Sequence, residues 1–276
     1  MRFWIPAYAG MTDFLRKHQF SGGKRVKLLY VTDLKERASS FDVFKKLLLL
    51  EKKVFDRVVF ALPSSPDEWI KNLSSTEFQF ETKTIRNFSC KEITSLAEEE
   101  RVSFIVVDLD KTSHDTTLRE LALKSRRPVL VMGREKSDKG LFDHVIFATD
   151  WSPASAKVME HILTFRELID ELDIVHVISG KLTVKDMREL KERLEHTRKI
   201  CLNKGINAES HIYAGEVAEE IVTASEDYRG TIIVVGSGTE KSFMKRIFKK
   251  NKVYNIIKDA AVPVLFVPAA VPTSRD

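Results

Sequence analysis

Residues Ile232 to Lys252 read IIVVGSGTEKSFMKRIFKKNK. Four consecutive apolar residues, Ile232 to Val235, have the length and β-branched character of a strand buried on both faces. Gly236-Ser237-Gly238 breaks that strand with a turn. A basic amphipathic run follows, with Phe243, Ile247 and Phe248 on its apolar side. Strand, glycine turn and helix in this order are the layout of an α/β phosphate loop, because backbone N–H groups approach an anion closely only where no Cβ intrudes. The same run, with six basic residues among the twelve from Lys241 to Lys252, also fits a solvated helix face.

The stretch has a counterpart earlier in the chain. FIVVDLD, Phe104 to Asp110, aligns with Ile232 to Gly238 at an offset of 128. LLYVTDL, Leu28 to Leu34, aligns with VIFATDW, Val145 to Trp151, at 117, placing Thr32-Asp33 on Thr149-Asp150. RRPVLVMG, Arg126 to Gly133, aligns with AVPVLFVP, Ala261 to Pro268, at 135. Three landmarks in the same order are an internal repeat.

In the second copy the pattern predicts strands over His144 to Thr149, Asp173 to Ile178, Ala208 to Tyr213, Thr231 to Val235 and Val262 to Val267. Helices are expected over Ser155 to Ile169, Val184 to Lys204, Val217 to Tyr228 and Phe243 to Lys258. The first copy offers strands at Val26 to Val31, Arg57 to Leu62, Phe78 to Ile85, Phe104 to Val107 and Pro128 to Met132. Alternation of this kind predicts an α/β fold: two tandem Rossmann-like domains, each a five-stranded, mainly parallel sheet with helices on both faces. The expected organisation is an N-terminal extension (1–24), disordered or non-native and outside the fold, a diverged domain (25–134), a second domain (142–268) and a flexible tail (269–276). A polar linker, GREKSDKGLFD (Gly133 to Asp143), joins the copies.

Composition narrows the function classes. The formal charge of +5 is concentrated at the start, where residues 1–25 carry five basic residues against Asp13, leaving +1 for the rest. That balance argues against a nucleic-acid binder. Cys90 and Cys201 show neither CxxC nor zinc-ligand spacing. The longest apolar run, Leu47 to Leu50, is far short of a membrane span. A cytoplasmic location is expected. Pro6 interrupts the opening apolar run, against a signal peptide, and WIPAYAGMT within it resembles a translated interspersed bacterial repeat.

The strand followed by Thr149-Asp150-x-Ser152, the GEVAEEIV of Gly215 to Val222, the glycine turn after the fourth strand and the closing VPVLFVP (Val262 to Pro268) together resemble the universal stress protein family over residues 142–268. Residues 25–134 look like a second copy, giving the tandem form. The resemblance implies a domain that commonly dimerises and, in one subclass, binds ATP with Mg in a cleft at the carboxyl ends of the strands. Carried over by position, the pocket residues are Thr149, Asp150, Val177, Gly236, Gly238, Thr239, Lys250 and Asn251. Thr239 stands where the family has its second glycine, and Lys250-Asn251 where it has glycine and a hydroxyl residue, so the cleft reads as degraded. In the first copy Asp108 takes the first glycine position and Asp110 follows, and carboxylates facing a polyphosphate predict no nucleotide there.

Bland readings stand beside these. Asp150 and Asp33 serve either ligand contact or helix N-capping. His176 is a pocket wall or a core residue, His196 and His211 read as surface residues, and both cysteines as ordinary helix residues. Three functions stay open: a non-catalytic stress-response binding or regulatory module using the second cleft, a purely structural or interaction protein without nucleotide, and a slow nucleotide hydrolase. The expected partners are an adenine nucleotide, an unknown protein, and either a second copy of the chain or the other half of the same chain.

Overall fold

The computed structural model describes residues 26–33, 55–63, 79–133, 139–237 and 252–269. The N-terminal extension, most of the C-terminal tail, and the predicted site residues Gly238, Thr239, Lys250 and Asn251 lie outside the described residues.

The first half contributes β1 (Val26–Thr32), β2 (Phe55–Leu62), β3 (Gln79–Thr84), α1 (Cys90–Glu99), β4 (Phe104–Asp108), α2 (Asp115–Lys124) and β5 (Val129–Val131). The second contributes β6 (His144–Ala148), α3 (Pro153–Thr164), β7 (Glu171–Ile178), α4 (Val184–Asn203), β8 (Asn207–Ala214), α5 (Val217–Asp227), β9 (Ile232–Ser237), α6 (Lys252–Asp259) and β10 (Val264–Pro268). Among the described residues the ten strands form one sheet in the order β3-β2-β1-β4-β5-β10-β9-β6-β7-β8. Each half therefore has the same internal order, its third, second, first, fourth and fifth strands, and the two are arranged head to head.

The sequence period that predicted these strands also fixes their burial. Along β6, Val145 and Phe147 join one apolar cluster, while Ile146 and Ala148 join the cluster on the opposite face. The first cluster takes in Val158, Met159 and Ile162 of α3 and Leu190, Leu194 and Cys201 of α4. The second takes in residues of α1, α2, α5 and α6. Both faces of the second half are thus covered by helices, as parallel strands with continuous apolar runs require.

Pairing is parallel within each half and antiparallel where the halves meet, with Val264, Leu265 and Phe266 of β10 opposite Val131, Leu130 and Val129 of β5. Three further contacts close this seam. The Lys111 ammonium, 6% exposed, donates to the carbonyls of Ile257 at 2.6 Å and Ala260 at 2.8 Å, at the C-terminal end of α6. Ser237 donates to the Ala122 carbonyl at 2.8 Å. Arg119 lies over the Tyr254 ring, 4.7 Å from its centre.

Several boundaries differ from expectation. α3 ends at Thr164, and a short 3-10 turn, Arg166–Leu168, leads to β7. The last helix, expected over Phe243 to Lys258, ends at Asp259, and its expected start lies outside the described residues. The joining segment is not wholly a linker: Leu141 and Phe142 are buried, and Phe142 stacks on Phe165 at 5.3 Å. An apolar pair at the end of a charged segment is the local signal for this, because it must leave water somewhere.

Candidate functional site

The sheet order places the site. In the second half, β6 has β7 on one side and β9 on the other. The chain leaves β6 for α3 on one face and leaves β9 for α6 on the opposite face. A crevice must open between the carboxyl ends of β6 and β9, the switch point at which doubly wound sheets hold ligands. A cleft lies there, lined by Thr149, Asp150, His176, Val177, Gly236 and Lys252, with aliphatic walls from α5 and α6. Of the eight residues expected at the pocket, the structure brings Thr149, Asp150, Val177 and Gly236 together.

Asp150 sits in a tight turn between β6 and α3. Its Oδ1 accepts from the Ser152 amide at 3.0 Å and from the Ser155 hydroxyl at 2.7 Å. The cap of α3 is Ser152, whose hydroxyl accepts from the Ser155 amide, with Pro153 opening the helix. Asp150 is therefore not the cap; it shapes the turn that leads into it. Trp151, between them, has φ of 56°, a left-handed conformation uncommon for a bulky residue. Its amide donates to the Thr149 hydroxyl at 3.1 Å and its indole N–H to Thr197 at 3.2 Å. Backbone strain held by such bonds beside a cleft marks a position fixed by its surroundings.

His176, read beforehand as wall or core, lines the cleft. Its Nδ1 lies 2.8 Å from the Thr149 carbonyl, which can only accept, so Nδ1 carries the proton in that bond. Burial pushes the ring below its usual range despite that bond, leaving Nε2 as an acceptor. The ring lies 4.8 Å from Trp151. A second hollow of about 640 Å³ adjoins the first, sharing Asp150, His176 and Val177 and reaching Asp186, Glu189 and Arg193.

Lys252 was missed as a site residue, although the basic run ending on it was the available signal. It lines the cleft, its side chain is 12% exposed, and its ammonium is 3.2 Å from Glu216. Glu216 caps α5 through the Ala218 and Glu219 amides. Burial pushes its carboxyl up, but the Ala218 amide, Lys252 and the Glu219 amide outweigh this and leave it below the usual range.

Gly236 has a structural requirement of its own. A Cβ there would lie 2.7 Å from the Ala154 carbonyl carbon and 2.8 Å from the Ser155 amide nitrogen. The end of β9 can pass the first turn of α3 only as glycine.

In the first half, the counterpart carboxylate Asp33 is 2.8 Å from Nε2 of His114. Asp108 and Asp110, expected to repel a polyphosphate, also have local structural contacts. Asp108, buried, accepts from the Tyr30 hydroxyl, and burial followed by the Asp108 charge pushes that phenol well up. Asp110 accepts from the Thr112 and Ser113 amides and shapes the turn before α2. His211, expected at the surface, is also corrected: it is half-buried and bonded to Asp173. No helix among the described residues is long and apolar enough to cross a membrane.

Comparison with known proteins agrees with this architecture. Residues 141–268 match the model of the universal stress protein family. A universal stress protein of Methanocaldococcus jannaschii is 25% identical over 155 residues, 46% of this chain and 95% of that protein. The crystal structure of a universal stress protein from Archaeoglobus fulgidus has the same fold, with a TM-score of 0.63 at 20% identity over 88% of this chain and 96% of that one. An Arabidopsis thaliana universal stress protein solved with AMP bound is 20% identical over 48% of this chain and 96% of that one, with a TM-score of 0.35. The second half of the chain, residues 141–268, thus matches the universal stress protein family, and the chain as a whole shares the fold of a universal stress protein.

Proposed function

We propose that the protein is a non-catalytic binding module whose second-half cleft takes an adenine nucleotide and whose first half is structural. The observation that carries this is the pairing of walls and mouth at the switch point. Aliphatic side chains of Val175, Val217, Ile221, Val253 and Ile256 offer a flat base an apolar slot, while Asp150, His176 and Lys252 supply polar and charged groups around it. The base sits against Val177 and Asp150, and the phosphates run toward Gly236 and Lys252. Lys252 gives them a cation even where the family's glycine pattern is broken.

Binding becomes regulation through α6. Its first residue, Lys252, lines the cleft, and its C-terminal carbonyls are held by Lys111 of the first half. A ligand that draws Lys252 away from Glu216 acts on a helix anchored at the seam, so the relation of the halves is what it biases.

A second reading, an assembly protein without nucleotide, is favoured by one set of contacts: the turn contacts of Asp150 and the close packing of Gly236 give both residues a structural reason to be there. Calorimetric titration of ATP and AMP, with and without magnesium, separates the two readings. The nucleotide reading predicts one site per chain, weakened at least tenfold by Ile221→Phe, which fills the slot, with no phosphate released over hours. Absence of heat at millimolar nucleotide favours the assembly reading, and steady phosphate release overturns the non-catalytic one.

A further inference from the structure

A group of ionisable side chains unrelated to the cleft lies among the central and edge strands of the second half. Asp173 is the third residue of β7 and Glu209 the third of β8, and the two are paired in register. His211 lies two residues beyond Glu209 and so on the same face of the sheet. One ligand atom from each of Asp173, Glu209 and His211 lies within 4.8 Å of the other two.

The surroundings orient this set. Asp173 is buried, its Oδ1 2.9 Å from Nε2 of His211 and its Oδ2 2.7 Å from Nε2 of His144 on β6. Nδ1 of His211 is 3.0 Å from the Tyr228 hydroxyl at the end of α5. Burial pushes the Asp173 carboxyl up, but the bonds from His144 and His211 outweigh it and leave it below the usual range. The ionised carboxylate is thus held in place with one oxygen turned to each histidine. Glu209 is exposed and His211 half-buried, which gives solvent access from one side.

We propose that Asp173, Glu209 and His211 form a site for a divalent transition-metal ion of the zinc class. Two carboxylates and an imidazole are a donor set for such an ion, with bonds of about 2.0–2.2 Å. Donor atoms spaced as they are here close to that geometry through side-chain rotation, because adjacent strands already fix the backbone. On binding, Nε2 of His211 loses its proton and its bond to Asp173 and takes the ion, while the ring keeps one proton on Nδ1, through which it donates a hydrogen bond to the Tyr228 hydroxyl oxygen. His144 continues to hold the other Asp173 oxygen. A protein group on the far side of each ligand is the arrangement that fixes tautomer and orientation in metal centres. The fourth tetrahedral position falls to water.

Titration of cobalt(II) into tag-free, chelator-treated full-length protein tests the site, because tetrahedral cobalt absorbs visibly whereas the aqueous ion barely does. The proposal predicts one cobalt per chain, a visible band displaced by zinc, and at least tenfold weaker binding in Glu209→Gln, an exposed change that leaves the fold intact. His144→Phe, which removes only the outer support, weakens binding by about tenfold or more while the band keeps its shape. A chain that develops no band, or one whose band and affinity are unchanged in Glu209→Gln and His211→Ala, overturns the proposal.

Discussion

Replacing Lys111 by methionine removes the ammonium that joins the halves while keeping a side chain of similar length. Lys111 is 6% exposed, and its ammonium donates to two carbonyls at the C-terminal end of α6. A hydrogen bond involving a charged group contributes about 1.5–3 kcal/mol, and a cation at a helix C-terminus roughly 0.3–1 kcal/mol more. Against this stands the cost of desolvating the ammonium, several kcal/mol, which methionine does not bear. Methionine leaves the two carbonyls without that donor, and the net expectation is a loss of about 2–4 kcal/mol. At ~2–4 °C per kcal/mol for a chain approaching this length, the midpoint of thermal unfolding falls by roughly 4–16 °C. Arg119→Ala is the control: its cation–π contact to Tyr254 involves a side chain 54% exposed and is worth under about 1 kcal/mol. Scanning calorimetry reads both, and amide exchange should show loss of protection concentrated in α6. A Lys111→Met midpoint within a degree of the parent, or lost protection spread evenly over both halves, would refute the claim that this lysine holds the seam.

Glu216→Gln keeps the cap on α5 but releases Lys252 from its carboxylate partner, so nucleotide affinity should rise about three- to tenfold, read by calorimetry; lower affinity would show that Glu216 itself contacts the ligand. Gly236→Ala should cost roughly 1–3 kcal/mol in denaturant unfolding, since the added methyl meets backbone atoms of Ala154 and Ser155; no loss would mean that α3 moves aside freely. His161 is pushed down to about 4 by burial and, secondarily, by Lys157. The unfolded chain takes up this proton near pH 6.5 and the native one only near 4. Stability from this group is therefore full above about pH 6.5 and falls as pH drops through that window, by about 3 kcal/mol in all. His161→Leu should flatten that part of the stability profile, and an unchanged slope would contradict it.

Much of the fold could be read from local pattern. The repeat of Thr32-Asp33 at Thr149-Asp150 and the apolar runs after Phe104 and Ile232 located the strands, because a strand buried on both faces must be apolar throughout. The same property hid the direction of the β5–β10 pairing, since a run such as Val129–Val131 looks alike in parallel and antiparallel neighbours. At the site, the placement of Asp150 and Gly236 at one cleft was legible, but the details of their structural duties were not. Whether Ser152 or Asp150 caps α3 depends on one turn's geometry, and the need for glycine at 236 depends on the approach of a helix some 80 residues earlier in the chain. The set around Asp173 was invisible because its partners come from three other elements: His144 from β6, Glu209 and His211 from β8, and Tyr228 from the end of α5. No short motif records that convergence; only the register of β6, β7 and β8 brings them together.

The nucleotide reading requires an adenine nucleotide in the second-half cleft and none at the corresponding position of the first half. Photolabelling the full chain with an azido-adenine nucleotide, followed by peptide mapping, tests it most directly. The label should fall on peptides containing Asp150, Val177 or Ile221 and be suppressed by excess ATP. Suppressible label around Asp33, Asp108 or His114 instead, or label that ATP does not suppress anywhere, would contradict it.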